Sequence, residues 1–380
     1  MASGPLRLPT DRRDTLWELQ PATAAKHRLY KKYLDAWWPI LLQPSAATGR
    51  SWPRVTYVDA FAGPGEYADG VEGSPVFTLD RLLRHEAISR MRLSRDRVRL
   101  IFTEERRDRF EHLDALLVSR FGPLDQLPVT ITSCRAEAGA ATGALLNETK
   151  AWGSPVLAVF DSWGNVGVPL SLIRQLAKNR ASEVIVTFGP NWFNRREQME
   201  PDHLDLVFGG RAFWETADRQ SAPADRWRTW LASYRDALRR AGFRYQLQFE
   251  IVPHTGQPLY LVFGTGHEKG VEAMKEAMWK VDGNDGMGFR DPRTRGGQVG
   301  DQMTLWSGSA TPQDELLDLV TQRLEAGPVT IEELGGWLLT ETSRWRRPDA
   351  AKAARQLLGE GKATVRPAGR ITKATTVMLR

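Results

Sequence analysis

Three places in the sequence carry residue types that could do chemistry. Asp59-Ala60-Phe61-Ala62-Gly63-Pro64-Gly65 follows directly on the β-branched and aromatic run 55–58. Glycines at such a turn let the backbone approach a ligand that a Cβ would exclude, and open α/β sheets bind small molecules at this carboxyl edge. Glu104 ends a second apolar run, 98–103, where an acid can accept hydrogen bonds from a pair of vicinal hydroxyls such as those of a ribose. Glu105 is adjacent and competes for that role, and either acid also suits a helix start. Asp161-Ser162-Trp163-Gly164 ends the run 155–160 and offers an acid to polarise an acceptor and an aromatic ring to stack on a planar group. Weaker candidates are Arg135 and Glu137 after the run 129–133, and Asn191, Trp192, Phe193 and Arg195 after 183–188. The ordinary alternatives are a Gly-Pro turn, surface pairing, a structural cap and core aromatics.

The elements that must position these residues alternate. An amphipathic helix is predicted over 26–42, with Leu29, Tyr33, Trp37 and Ile40 on one stripe. Strands follow at 55–58, 98–103, 129–133, 155–160 and 183–188, with helices at 75–84, 107–120 and 170–179. Ser74 is the predicted N-cap of the helix that starts with Pro75. A helix over 225–241 precedes a strand pair, 244–252 and 258–264, and a helix over 267–281 closes the unit. Alternation of this kind predicts a doubly wound, largely parallel sheet with an antiparallel pair at its edge. The expected organisation is a flexible arm at 1–24, an α/β domain at 25–282, a linker or mobile loop at 283–310, whose Gly-rich part is 283–300, and a basic domain at 311–380.

Composition limits the partners and the compartment. The chain has 380 residues, 41% of them apolar, enough for a packed core. Its amino-terminal MASGPLRLPTDRRD lacks the apolar stretch of a secretory signal, and no run is long enough to span a bilayer, so a cytoplasmic chain without membrane contact is expected. Cys134 alone can form neither an internal disulfide nor an iron–sulfur cluster, and the six scattered His have no metal-ligand spacing. Residues 329–380 hold ten Lys or Arg against five Asp or Glu, a net +5 of the chain's +6. Helices at 330–339 and 348–358 followed by a β-wing around 367–369 suggest a winged helix. Arg346, Arg347, Lys352, Arg355, Lys362, Arg366, Arg370 and Lys373 are then candidate phosphate contacts for DNA or RNA. The competing reading is a protein-binding winged helix.

The loop D-x-F-x-G-x-G lacks the dinucleotide spacing G-x-G-x-x-G and resembles S-adenosylmethionine (SAM) binding loops, above all those of amino-methylating enzymes. The expected fold is therefore α/β, a class I SAM methyltransferase-like (Rossmann-like) mixed sheet with a small C-terminal winged-helix domain. Asp59, Phe61, Gly63, Gly65 and Glu104 or Glu105 are expected to hold SAM, with Glu137 on the adenine side. Asp161, Ser162 and Trp163 form the catalytic candidate. It departs from the [DNS]-P-P-[YFW] tetrad of exocyclic-amine methylation, having Ser162 for a proline and Gly164 where the aromatic stands.

A wider set of motifs resembles the three-Cys-motif partner proteins. It runs through Lys26-His27, Tyr33-Leu34 and Trp37, then TYVDAFAGPGEY, Glu72-Gly73-Ser74-Pro75, Phe160-Asp161 with Gly164, and PLYLVFGTGHEKGVEAMKEAMWKVD at 258–282. That family commonly shows Pro-Phe where this chain has Ser162-Trp163. The resemblance implies a methyltransferase-fold partner of a separate radical-SAM-type protein bearing three cysteines, and a role in nucleic-acid modification or repair. Three functions follow as expectations: a SAM-dependent methyltransferase on nucleic acid, a non-catalytic nucleic-acid-binding partner, and a nuclease with Asp59, Glu104 and Asp161 as metal ligands.

Overall fold

The computed structural model describes residues 14–46, 48–196, 200–215, 223–294 and 311–380. Its strands are β1 (Val55–Asp59), β2 (Val98–Glu104), β3 (Thr130–Arg135), β4 (Val156–Phe160), β5 (Glu183–Phe188), β6 (Tyr245–Val252), β7 (Leu259–Thr265) and β8 (Gly288–Arg290). They form one sheet in the order β3-β2-β1-β4-β5-β7-β6-β8. The first five pair in parallel, while β7 is antiparallel to both β5 and β6. This is the strand order of the class I SAM methyltransferase fold with an eighth strand added at one edge.

Two layers of helices cover the sheet. One face carries α1 (Pro21–Leu42), α2 (Ser74–Leu83), α3 (Ile88–Met91), α4 (Arg107–Phe121) and α10 (Glu268–Val281). The other carries α5 (Ala138–Glu148), α6 (Leu170–Lys178), α7 (Pro190–Arg196), α8 (Pro201–Phe208) and α9 (Pro223–Ala241). β1, β4 and β5 are therefore buried on both faces: β4 is apolar throughout, and β1 and β5 are mostly apolar with Thr56, Asp59, Glu183 and Thr187 buried among them. The core of the second face includes Phe193, stacked on Phe188 with centroids 4.7 Å apart, so the aromatics after β5 fill space rather than face a substrate.

Several expectations need correction. The N-cap of α2 is Gly73, and Ser74 is its first residue. Of the expected arm 1–24, residues 1–13 lie outside the described residues. Residues 14–20 pack on the body of the domain, through Thr15 to Asp108 (2.6 Å) and Ala68 N–H to the Trp17 carbonyl (3.0 Å), and α1 already begins at Pro21. Of the expected linker 283–310, Gly288–Arg290 is β8, paired in parallel with β6, and 295–310 lie outside the described residues.

Residues 311–380 form a unit with its own core: α11 (Pro312–Glu325), β9 (Val329–Thr330), α12 (Ile331–Glu341), α13 (Arg347–Gly359), β10 (Ala363–Arg366) and β11 (Thr376–Leu379). Its strands pair antiparallel in the order β10-β11-β9. Thr311 with Asp314, and Thr330 with Glu333, make reciprocal capping boxes that fix the starts of α11 and α12.

α10 holds this unit. Its buried Lys275 Nζ donates to the carbonyls of Leu338 (3.2 Å), Leu339 (2.7 Å), Thr342 (2.7 Å) and Trp345 (2.8 Å). The end of a helix leaves carbonyls without partners and is the negative end of its dipole, so an ammonium there answers both demands. Burial pulls the ammonium pKa down to about 7, and the Asp349 carboxylate opposes that pull. Trp279 Nε1 donates to the Arg344 carbonyl (2.8 Å), while Arg346 stacks on Trp279 and pairs with Glu276, and Arg347 pairs with Glu268. Replacing Lys275 by Met is expected to lower unfolding free energy by roughly 2–4 kcal/mol, because buried carbonyls lose their donor. Denaturant unfolding checks this, together with faster amide exchange across 338–345; an unchanged midpoint would contradict it.

Candidate functional site

A cavity of ≈ 230 Å³ opens at the carboxyl edge of the parallel strands. It is bounded by the 60–67 loop, by Glu104 and Glu105 after β2, and by Asp161 and Trp163 after β4. Lys26 and His27 of α1 enter from the side, Arg106 and Arg109 from α4 and its approach, and Trp17 from the segment before α1. A larger cavity, ≈ 480 Å³, lies at the opposite edge around Glu183 and the start of α10. The loops after the parallel strands, where doubly wound sheets place their ligands, reach only the smaller one.

The glycine loop is a tight cradle. Gly63 and Gly65 have φ of 65° and 85°, a left-handed conformation that side chains rarely adopt. A Cβ on Gly73, whose N–H donates to the Gly65 carbonyl at 2.7 Å, would sit 2.8 Å from that carbonyl carbon. Below the loop, buried Asp59 accepts the Phe61 N–H (3.3 Å) through Oδ1, and its Oδ2 has no hydrogen-bond partner. Burial raises the Asp59 carboxyl to about 7, and the Ser74 hydroxyl, the Phe61 N–H and Lys26 pull the other way. Asp59 does not line the cavity and acts through the loop it holds.

The choice between Glu104 and Glu105 falls to the first by burial. Glu104 is buried and accepts the N–H groups of Gly63 (3.0 Å) and Arg106 (2.9 Å), one on each carboxylate oxygen. Each oxygen keeps a lone pair for a further donor. Burial raises its pKa, against the pull of the Arg106 N–H, Arg109 and the Gly63 N–H. Glu105 lines the rim and is exposed. Ala136 and Ala138 line the wall beyond, whereas Glu137 between them is exposed and is not part of it, as is Arg135.

Asp161 is not a free carboxylate. Lys26 Nζ lies 2.7 Å from Oδ1 and 2.6 Å from Oδ2, Thr187 donates to Oδ1 at 2.7 Å, and Tyr30 reaches Oδ2 at 3.4 Å. Burial alone would raise its pKa, but Lys26 and Thr187 outweigh burial and hold it low. His27 beside Lys26 is driven to about 3 by burial and by that lysine, so it is neutral. Ser162 Oγ is buried without a partner and does not line the cavity. Trp163 does line it: the residue is 44% exposed, with φ 57°, and the Lys26 ammonium is 5.1 Å from its ring centroid. An exposed aromatic in a left-handed conformation is a costly arrangement of the kind that concentrates at functional sites.

Gly164 explains the departure from the amine-methylation tetrad. Its φ is 94°, and a Cβ would meet the Gly189 Cα at 2.8 Å. No aromatic fits at that position, so any stacking must come from Trp163. Lys26, Thr187, Trp17 and Arg109 were absent from the expected site. The signals for Lys26 are its place, with His27, on the buried face of α1 that Leu29, Tyr30 and Tyr33 continue, and the Lys26-His27 pair in the wider set of motifs.

Among the described residues no three His, Cys, Asp or Glu side chains come together as a metal-binding group. Asp161 is occupied by Lys26, so Asp59, Glu104 and Asp161 do not stand together as the ligand set that the nuclease expectation requires. Among the described residues no helix is long and apolar enough to cross a membrane.

The basic residues of the C-terminal unit divide into two sets. Arg346 and Arg347 pair with Glu276 and Glu268 of α10, and Lys362 pairs with Glu360. These three already hold carboxylate partners that a phosphate would have to displace. Lys352, Arg355, Arg366, Arg370 and Lys373 are exposed, on α13 and on the β10–β11 hairpin.

No protein-family model and no curated protein matches the sequence. Among solved structures, Trm1 from Pyrococcus horikoshii, determined with S-adenosyl-L-methionine, is 10% identical over 97% of this chain and 93% of that one, with a TM-score of 0.39. EvdMO1 is 14% identical over 66% of this chain, with a TM-score of 0.33, and only 42% of its own length is covered. The cyclopropane synthase MmaA2 from Mycobacterium tuberculosis is 9% identical over 71% of this chain and 73% of that one, with a TM-score of 0.29. At these values the likenesses assign no role to any residue.

The Lys26–Asp161 pair is open to a double-mutant cycle. Lys26→Met or Asp161→Asn alone is expected to cost roughly 3–5 kcal/mol, because each strands a buried charge or its partners. The double variant should recover a substantial part of that loss. Additive losses in urea unfolding would show that the two do not act as a pair.

Proposed function

We propose that the chain is a SAM-dependent methyltransferase acting on nucleic acid. The observation that carries the reading is the Gly63–Gly65 cradle, closed against Gly73 and tied to the Glu104 carboxylate at the carboxyl end of β1 and β2. A loop too tight for a Cβ, beside a buried acid with spare lone pairs, suits a nucleoside whose hydroxyls donate to that acid. Gly63, Gly65, Phe61 and Glu104 would hold SAM, which supplies a methyl group activated on a sulfonium.

The chain's own residues then have a positioning task, because alignment is the main demand of such a transfer. Trp163 is the stacking surface for a planar acceptor at the cavity mouth. Lys26 and Asp161 neutralise each other, and His27 is uncharged, so that wall presents no net charge to a sulfonium. Asp161 positions Lys26 and the β4 loop rather than accepting a proton from the acceptor.

The order α11-β9-α12-α13-β10-β11 fits a winged helix, with α13 as second helix of the pair and the β10–β11 hairpin as wing. Lys352 and Arg355 on α13, with Arg366, Arg370 and Lys373 on the wing, are its phosphate contacts. None of these five side chains has a hydrogen-bond or ion-pair partner among the described residues. The resemblance to three-Cys-motif partner proteins adds a separate radical-SAM-type protein as the companion of this chain. A second reading, a non-catalytic nucleic-acid-binding partner, draws on the occupied Asp161: all its hydrogen bonds are internal, and none remains for an amine.

Transfer of label from methyl-tritiated SAM to single- and double-stranded DNA and RNA separates the two. The methyltransferase reading expects incorporation that Trp163→Ala lowers by about tenfold or more, with SAM affinity unchanged. Replacing Lys352, Arg355 and Arg370 by Ala should reduce the salt slope of nucleic-acid binding by about 2–3. Salt-dependent binding without any incorporation would move the assignment to the second reading.

A further inference from the structure

Trp17 belongs to no helix or strand and precedes every motif that pointed to the site, yet its indole lines the cavity. Its ring is held on two sides, by the Arg109 guanidinium 4.4 Å from one centroid and by the edge of Tyr67 at 5.6 Å. Over the cradle, a Cβ on Gly63 would come 3.8 Å from the indole Cη2. The backbone around it is tied to the same two walls. Ala68 N–H donates to the Trp17 carbonyl (3.0 Å), Arg109 to the Asp14 carbonyl (3.1 Å) and Thr15 to Asp108 (2.6 Å). One wall is the end of the glycine loop and the other is α4, so residues 14–20 bridge the cavity from side to side.

The cavity under this bridge measures ≈ 230 Å³. Sites that enclose a small molecule run from roughly 300 to 1,000 Å³. The glycine loop is tied to Glu104 and Gly73 and α1 is packed core, whereas residues 14–20 lie outside any helix or strand and cross the cavity on a few ties. Its ties are a few hydrogen bonds and one cation–π contact near solvent, each of a kind that opens readily.

We propose that residues 14–20 form a strap that lifts to admit the nucleoside ligand of the glycine cradle and closes over it, with Trp17 as the ligand-contacting residue. This rests on the reading of the cavity as a SAM site. Closure of this kind excludes water and slows release, and it places Trp17 among the binding residues although no strand-end motif contains it.

S-adenosylhomocysteine, followed by stopped-flow mixing with the full chain, tests the proposal. Trp17→Ala is expected to raise the dissociation rate constant by about tenfold, with association unchanged or faster, and Trp17→Phe to restore most of the slow release. In the wild-type chain, amide exchange across residues 15–20 should slow when S-adenosylhomocysteine is added, a readout independent of any variant. An unchanged dissociation rate in Trp17→Ala, or unchanged exchange in the wild-type strap while the ligand binds, overturns the strap. Failure of the wild-type chain to bind the ligand at all overturns the cofactor reading, and the strap with it.

Discussion

The buried ion pair between Lys26 and Asp161 is the constraint on which the site depends. Taking two charges out of water costs several kcal/mol per ion unless their hydrogen-bonding capacity is met. Here Thr187 and Tyr30 supply further donors to the carboxylate, and the ammonium also faces the Trp163 ring. The pair fixes α1 against the carboxyl end of β4. The same helix is tied at the opposite sheet edge, where Tyr33 and Thr265 donate to buried Glu183. α1 packs on α10, and α10 inserts Lys275 under the end of α12. Cofactor cavity, sheet and C-terminal unit are thus joined through two buried lysines, one paired with a carboxylate and one with carbonyls.

Within the cavity, burial sorts the acids into different tasks. Asp59 is raised to about 7 and supports the glycine loop from below. Glu104 is raised by burial but keeps two backbone donors, and it faces the space a ligand would fill. Asp161 is held low by its lysine. The three strand-end acids therefore do not form a cluster of one kind. One shapes the loop, one is open to a ligand, and one is an internal counter-ion that leaves Trp163 as the exposed feature of the β4 loop.

The sheet was legible because its signals are local. The runs in β1, β4 and β5 are mostly apolar, as strands covered on both faces tend to be, and each ends at, or is followed by, a glycine or an acid at the edge. The glycine loop and Glu104 could be named for the same reason. What escaped depends on distant contacts or on weak periodicity. α5 (Ala138–Glu148) has mostly small residues and little amphipathic contrast. β8 is three residues that exist as a strand because β6 offers an edge. Arg346 and Arg347 look like exposed cations in the sequence; Asp349 is a local partner for Arg346, but Glu276 and Glu268 reach the two only through the docking of α10. The crowding of Gly164 against Gly189 and the path of Trp17 over Gly63 are likewise products of the assembled fold. A lysine and a histidine opening the apolar stripe of α1 were a usable sign that this helix reaches the site.

The central claim is that the Gly63–Gly65 cradle binds SAM. Its most direct test is calorimetric titration of the intact chain with SAM and S-adenosylhomocysteine, set beside Gly63→Val. A Cβ at Gly63 would meet only the Trp17 ring within 4 Å, so the change burdens φ and the cavity first. Micromolar binding by the intact chain, lost in the folded variant, is the predicted result. No heat of binding from the intact chain, or equal affinity in the variant, would contradict it.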